Sequence, residues 1–156
     1  MKKISILVGS HLVAGVIGFA VGIYTLPLFT ADAEASDADV RAVSNTARYT
    51  GEFKRDLPGS DPLHWAQGKI AITDDAIAFE GEVAPGPDYK IYLIPNFVDT
   101  KEKFLAAKLH AVRIGDLNTF GNFVTPLPRN IGIDQFTTVV IWCERFSQFI
   151  SAAQYR

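Results

Sequence analysis

The sequence predicts an all-β domain, a β-sandwich or barrel-like fold of about eight short strands with one short helix, preceded by a single N-terminal transmembrane helix. Three observations lead to this prediction. One long apolar segment lies at the N-terminus. The rest of the chain consists largely of short stretches in which apolar and polar residues alternate, separated by turn residues. Only one later stretch has a helix-forming composition, which is typical of a sandwich or barrel.

The apolar segment runs from Ile4 to Leu26, 23 residues without a charged side chain. A helix of this length crosses the hydrocarbon core of a bilayer, which is about 30 Å thick. Lys2 and Lys3 precede the segment, and positive residues favour the cytoplasmic side. We therefore expect a single-pass membrane protein with a cytoplasmic N-terminus and a C-terminal domain in the periplasm or outside the cell.

A cleaved signal peptide is the alternative to an anchor over residues 1–30. Ala31-Asp32-Ala33 and Ala33-Glu34-Ala35 both match the small-x-small cleavage pattern. The apolar run is longer than the usual signal-peptide core of about 7–15 residues, which favours retention as a signal-anchor. Both interpretations export the same domain.

Residues 31–46 are rich in Ala, Asp and Ser, a composition that predicts a solvated tether with a helical turn. Residues 47–156 are then a single domain of ordinary size. Two of the 15 basic residues precede the apolar segment, so 13 basic residues stand against 17 acidic ones from Asp32 onward. A mildly acidic domain lacks the clustered Lys and Arg that bind phosphate backbones, so we expect no nucleic-acid partner.

The strands follow from local periodicity. Ile70 and Ile72 alternate with polar or small residues, the turn Asp74-Asp75 follows, and the alternation resumes from Ile77, which predicts a hairpin. Tyr89 to Ile94 is apolar on both faces, as expected of a central strand. The predicted strands are Tyr49 to Phe53, Gly68 to Thr73, Ile77 to Val83, Tyr89 to Ile94, Leu109 to Ile114, Phe120 to Thr125, Phe136 to Cys143 and Phe146 to Ser151. The predicted helix is Asp99 to Lys108, with Asp99 or Thr100 as its N-cap.

Cys143 is the sharpest candidate for chemistry. It is the only cysteine, so it forms no intramolecular disulfide and no Cys-based zinc site. It ends the run Val139 to Cys143, whose alternation places Val139, Ile141 and Cys143 on one face of a strand. An accessible thiolate there attacks a disulfide, forms a sulfenic acid or ligates a metal. The alternative is a small apolar side chain that fills the end of a strand, as free cysteines commonly do.

Four further residues are candidates to support Cys143. Arg145 lies two residues on and would supply positive charge. His64 precedes the first hairpin, although an imidazole is more often structural than a ligand, and Asp88 in the turn Gly86-Pro87-Asp88 most simply caps that turn. Trp142 adjoins the cysteine. We predict no metal site from these residues, and no signature of hydrolysis or phosphoryl transfer is present.

Over about Tyr49 to Tyr155 the chain resembles the DM-thirteen domain, also called the electron-transfer DM domain. Single elements of the resemblance are weak, but their order, which ends in Ile-Trp-Cys, is fairly specific. A second aromatic residue is expected after Phe146, and Ile150 stands near that place with Phe149 beside it, which leaves the register of the last strand open. The matching elements are Gly51, Phe53, His64, Gly68, Gly86-Pro87-Asp88, Ile91-Tyr92-Leu93, Ile114-Gly115-Asp116-Leu117, Gly121, Leu127-Pro128, Val140-Ile141-Trp142-Cys143, Phe146, Ala153 and Tyr155.

The resemblance implies a β-sandwich-like domain whose near-invariant cysteine, matched by Cys143, acts in redox chemistry or ligates a redox cofactor. Relatives often sit beside haem-binding DOMON domains or b-type cytochromes, and these 156 residues include neither. Haem or a metal would therefore come through a partner, and the cofactor itself stays unknown. We expect an electron-transfer or thiol-redox module in contact with a membrane or envelope redox protein, rather than a stand-alone enzyme. The alternative is a non-catalytic envelope module that binds a ligand through its loops, with Cys143 buried as packing.

Overall fold

A computed structural model describes residues 2–156. An N-terminal helix, α1, is followed by a short helix, α2, and by eight strands with a third helix, α3, among them. The bounds are α1 Lys2–Thr30, α2 Asp37–Ser44, β1 Tyr49–Phe53, β2 Ala66–Ile72, β3 Ala76–Val83, β4 Tyr89–Ile94, α3 Lys101–Ala107, β5 Val112–Leu117, β6 Phe123–Pro126, β7 Thr138–Cys143 and β8 Gln148–Gln154. Single 3-10 turns lie at Lys108–His110 and Ile133–Gln135.

The strands form two antiparallel four-stranded sheets. The first sheet has the order β1-β2-β3-β6 and the second has the order β5-β4-β7-β8. Their inner faces enclose the main core, to which the first sheet contributes Phe53, Ile70 and Phe79 and the second contributes Ile91 and Ile141. The predicted β-rich fold with a sandwich-like arrangement is confirmed.

The second sheet is buried on both faces. Its outer face carries Tyr92, Val140 and Trp142, and Phe104 of α3 packs against them in a second cluster. This cover explains why β4 and β7 have apolar residues at consecutive positions, since a strand covered on both faces has no solvent side. Thr100 caps α3 by accepting a hydrogen bond from the backbone N–H of Lys103, in agreement with the predicted N-cap.

The segment from residue 31 to residue 46 lies against the domain. The backbone N–H groups of Asp32 and Ala35 donate hydrogen bonds to the carbonyl oxygens of Asn118 and Asn122, both at 2.9 Å. Ser36 then caps α2, and Val40 is buried where α2 crosses the outer face of β2 and β3. The composition predicted a solvated tether, and the segment makes more contact than that because Val40 meets the small buried side chains of that face.

Helix α1 is, among the described residues, the one helix long and apolar enough to span a membrane. Most of its apolar side chains are exposed, whereas Pro27 in its last turns is buried. That end of α1 lies against the loops before β4 and after β7.

The structure moves several predicted strand boundaries. Leu109 and His110 belong to a 3-10 turn after α3, so the strand predicted from Leu109 begins at Val112. Phe120 lies in the loop before β6. Phe146 lies in the turn between β7 and β8, because four residues are needed to reverse the chain there. In each case, residues that were predicted to begin a strand lie in a turn or loop instead. The number and order of the strands are unchanged.

Candidate functional site

Cys143 is the last residue of β7 and lies opposite Tyr89, the first residue of β4. Both belong to the core between the sheets, at the end of the sandwich where α1 lies. The chain then turns through residues 144–147, with Ser147 in the left-handed region at φ 47°. The turn is short, so its backbone folds back over the thiol.

The surroundings of the sulfur combine two opposing effects. Burial raises the pKa of the Cys143 thiol, and the nearby Asp88 carboxylate acts in the same direction. The backbone N–H groups of Phe146, Arg145 and Asp88 face the sulfur and lower the pKa, since they would donate hydrogen bonds to a thiolate. Burial outweighs them, so the pKa is raised overall and the resting group is a neutral thiol held beside three backbone donors.

A cleft of about 420 Å³ separates α1 from the domain at this point, and Cys143 forms part of its wall. We call it the thiol cleft. The domain side includes His64, Gly86 and Phe146, and the α1 side includes Val21 and Tyr24. The volume lies within the range of about 300–1,000 Å³ that is typical of small-molecule sites. The cysteine is only 2% exposed, so the cleft is its route to other molecules.

A second, larger cleft of about 620 Å³ adjoins the first along α1. We call it the outer cleft. The two share Ile23 of α1 and the residues Gly86, Pro87 and Phe146 of the domain. Its remaining wall is largely apolar and includes Phe19, Leu26, Pro27, Leu117 and Phe120. Arg145 also borders this cleft, and its backbone N–H faces the sulfur of Cys143.

His64 lies on the thiol cleft with one ring nitrogen engaged. Its Nδ1 is 2.8 Å from Oδ2 of Asp61, and a carboxylate only accepts, so Nδ1 carries the proton when the ring is neutral. Within residues 2–156 the Nε2 atom makes no hydrogen bond. Asp61 also accepts a hydrogen bond from the backbone N–H of Leu63, which fixes the loop. The Asp61 carboxylate therefore orients the imidazole and leaves Nε2 available to a ligand.

Asp88 acts on the site through its carboxylate, which raises the pKa of the Cys143 thiol, and through its backbone. Its carbonyl oxygen accepts a hydrogen bond from the backbone N–H of Glu144 at 3.0 Å, which ties the turn after β7 to the start of β4. Its carboxylate pairs with Nζ of Lys90 at 2.7 Å. The structure thus places Asp88 at the site, with its side-chain charge directed to Lys90.

Trp142 lies on the opposite face of the sheet from the thiol. It packs on Phe104 at 4.6 Å between ring centres, and Nζ of Lys108 lies 5.3 Å from its ring centre. Glu144 accepts hydrogen bonds from Nζ of Lys108 and from the hydroxyl of Tyr92. Within residues 2–156 the buried Nε1 of Trp142 has no hydrogen bond of ordinary geometry, although it is near enough to Glu144 to help lower the pKa of that carboxyl. The structure therefore does not bring Trp142 into the cleft.

Several cleft residues were not anticipated from the sequence. The spacing of Asp61 and His64 was a usable signal, because an acid three residues before a histidine often orients it. The α1 residues had no such signal, since nothing local in the sequence relates them to Cys143. Within the described part of the chain, no three His, Cys, Asp or Glu side chains are grouped as a metal ion would require.

The fold and the cleft define the class of this protein: a β-sandwich domain with one cysteine thiol at the end nearest an apolar N-terminal helix. The family model described as "Electron transfer DM13" matches residues 53–155. The chain therefore belongs to the DM13 electron-transfer family, and the resemblance predicted from the motifs is confirmed. No curated protein and no solved structure matches the chain.

Proposed function

We propose that this protein is a membrane-anchored extracytoplasmic electron-transfer or thiol-redox module in which Cys143 is the reactive or ligating group. Membership of an electron-transfer family supports a redox role. The observation that carries the proposal is the position of Cys143 on the wall of the thiol cleft, which also includes an oriented imidazole, with three backbone N–H groups facing the sulfur. His64, Asp88 and Arg145 support the cysteine in this proposal.

The anchor places the module at a membrane surface. Lys2 and Lys3 on the inner side of α1 favour a cytoplasmic N-terminus, and the domain then faces the periplasm or the exterior. Anchoring raises the effective concentration of membrane components around the cleft. The partner in this proposal is a redox protein of the membrane or envelope.

The proposal includes two modes of redox chemistry for the thiol of Cys143. As a ligand, Cys143 would hold a group that another protein or the membrane supplies, and His64 is the second ligand candidate on the same cleft. As a reactant, the thiol is oxidised by a peroxide to sulfenic acid: one oxygen joins the sulfur and water leaves. A thiol of another molecule then condenses with the sulfenic acid: the two sulfur atoms join in a mixed disulfide, and the sulfenic oxygen leaves as water with the proton of the thiol.

A second function is favoured by the burial of the sulfur. A cysteine that is 2% exposed with a raised pKa matches an inert packing residue, and the domain would then bind a protein or glycan through its loops. One experiment separates the two. The full chain is purified in phospholipid nanodiscs, its absorption spectrum and metal content are measured, and it is then treated with hydrogen peroxide and a sulfenic-acid trap.

The redox proposal expects either a bound chromophore or metal that is lost in Cys143→Ser, or trapping at Cys143 that dithiothreitol prevents. Cys143→Ala is the blank for trapping, and circular dichroism checks that both variants are folded. A native protein without chromophore or metal that is trapped no more than the Cys143→Ala blank overturns the redox proposal in favour of packing.

A further inference from the structure

The thiol cleft opens beside the part of α1 that is apolar enough to lie in a bilayer. Val21 and Tyr24, on its α1 side, belong to the apolar segment Ile4 to Leu26. On its domain side, Leu63 and Phe146 are large apolar residues with about half of their surface exposed, 54% and 50%. When α1 spans a membrane, these side chains meet lipid, and the mouth of the cleft is reached from the acyl-chain region.

The polar groups in this cleft are few and specific. Thr25 donates its hydroxyl to the carbonyl of Val21, and Tyr89 donates its hydroxyl to the carbonyl of Pro85. The polar side-chain groups left to meet a ligand are then the Cys143 thiol, the Nε2 atom of His64 and, on the α1 side, the hydroxyl of Tyr24. A ligand that fits has an apolar body and a ring oxygen able to hydrogen-bond with an imidazole.

Because the thiol cleft adjoins the outer cleft, a ligand that fills both is also long. The two clefts share Ile23, Gly86, Pro87 and Phe146, so a molecule in the thiol cleft can extend an apolar tail along α1. The outer cleft offers about 620 Å³ of mainly apolar space for that tail. A compact ring with oxygens and a long apolar tail is the structure of a quinone dissolved in a membrane.

We propose that the thiol cleft binds the head ring of a membrane-dissolved quinone, with a ring oxygen at Nε2 of His64 and the tail in the outer cleft. In the quinol form a ring hydroxyl donates to Nε2, whose partner nitrogen is held by Asp61. The quinone form has no ring hydroxyl, so its carbonyl accepts a hydrogen bond at this position only when Nε2 carries a proton. The proposal rests on the proposed function only in taking α1 as a membrane anchor, and it assigns no electron transfer to Cys143.

The test uses the full chain in nanodiscs of phosphatidylcholine and phosphatidylglycerol, with decylubiquinone as the probe. Its ring is fully substituted, so the thiol has no open ring position to attack. Binding is followed by quenching of tryptophan fluorescence, and Trp65 adjoins His64 in the chain. The proposal expects saturable quenching, and it is overturned when quenching increases linearly with quinone in the lipid, as simple partitioning requires.

Two pairs of measurements locate the site. Val21→Phe fills the thiol cleft, whereas Val16→Phe makes the same change at a lipid-facing position of α1 that borders neither cleft. We expect the half-saturating quinone concentration to increase at least tenfold in Val21→Phe and to stay unchanged in Val16→Phe. Equal affinity in the two variants places binding elsewhere and overturns the proposal.

The second pair tests the ring oxygen. His64→Phe should weaken the binding of decylubiquinone. Decylbenzene has no oxygen, so its ability to displace the probe should be the same in His64→Phe as in the unaltered protein. Equal competition by decylbenzene in the unaltered protein makes the cleft a general alkyl-chain site and overturns the quinone assignment. None of these readouts uses thiol chemistry, so failure to bind quinone leaves the redox role of Cys143 standing, and an inert thiol leaves the binding result standing. Extraction of membranes at alkaline pH checks separately that α1 is an anchor.

Discussion

The backbone N–H of Asp32 donates a 2.9 Å hydrogen bond to the carbonyl oxygen of Asn118. Asp32 lies only two residues beyond Thr30, the last residue of α1. With the equivalent bond from Ala35 to Asn122, this bond holds the C-terminal end of α1 on the loop before β6. No free linker then separates α1 from the domain. The closeness of α1 to Cys143 depends on this short backbone attachment.

Removing one of these bonds should uncover the thiol. Ala35→Pro eliminates the N–H that donates to Asn122, so α1 is held less firmly over the thiol cleft. We expect Cys143 to react several-fold faster with a small maleimide in nanodiscs. Ala33→Pro is the matched control, because within residues 2–156 its N–H makes no backbone hydrogen bond. Identical labelling rates in the two variants would show that α1 does not limit access.

The reactivity of Cys143 should depend on pH in a direction set by burial. Burial raises the thiol pKa, so at a given pH the folded protein contains less thiolate than the unfolded chain. We expect labelling at pH 7.5 to be several-fold slower in the folded protein than in denaturant, and to keep increasing with pH above the ordinary cysteine pKa of about 8.5. A plateau reached below that pH contradicts the assignment.

Glu144→Gln should destabilise the domain. Burial of Glu144 favours its neutral form, but hydrogen bonds from Lys108 and Tyr92 outweigh burial, and the pKa of Glu144 is lowered. We expect a loss of about 1.5–3 kcal/mol in the free energy of unfolding at pH 7, the range for a hydrogen bond to a charged group. Tyr92→Phe removes one of the two donors and should cost less.

This effect has a defined pH window. A lowered pKa stabilises the fold above the ordinary glutamate value of about 4.3, and the stabilisation is lost as the pH falls through the lowered value. The difference between the unaltered protein and Glu144→Gln should therefore shrink as urea denaturation is repeated at pH values from 7 down to 3. A difference that is constant with pH contradicts a charge-based role.

Gly86→Ala should disturb the wall of the thiol cleft. A Cβ atom at Gly86 would overlap the ring and hydroxyl of Tyr89, which packs over the turn before β4. We expect about 1–3 kcal/mol of destabilisation, as is usual for overpacking. Gly132→Ala is the comparison, because its nearest neighbour is the flexible end of Gln135 at 3.1 Å. Chemical denaturation of both variants should show a clear loss only at Gly86.

Some of the site was predictable because its signals are local. The lone cysteine at the end of an apolar strand and the Gly-Pro-Asp turn mark Cys143 and Asp88 without knowledge of the fold. Trp142 also stood out by its place in the chain, yet strand alternation directs it to the opposite face, where it packs under α3. Arg145 was predicted for its charge, and the structure brings its backbone N–H to the sulfur. A role that backbone atoms play cannot be predicted from the type of residue, because every residue except proline has the same backbone N–H.

The boundaries that moved are those where an apolar residue sits in a turn. Leu109 is 94% exposed and Phe146 is half exposed, although each looks like the first residue of a strand by type. The prediction of strands from periodicity assumes that apolar residues are buried in the core. The predicted boundary is therefore wrong where an apolar residue lies in a turn and faces outward. Phe146 borders both clefts, so the failure itself marks the candidate site.

By itself, the sequence determined the strand number, the apolar N-terminal helix and the single thiol, because periodicity, length and residue identity are local properties of the chain. Only the tertiary structure decided that α1 lies over the end of β7 and that His64 and Cys143 share a cleft. Those relationships join residues far apart in sequence. They arise from sheet pairing, and from the two backbone hydrogen bonds that attach the segment after α1 to the domain.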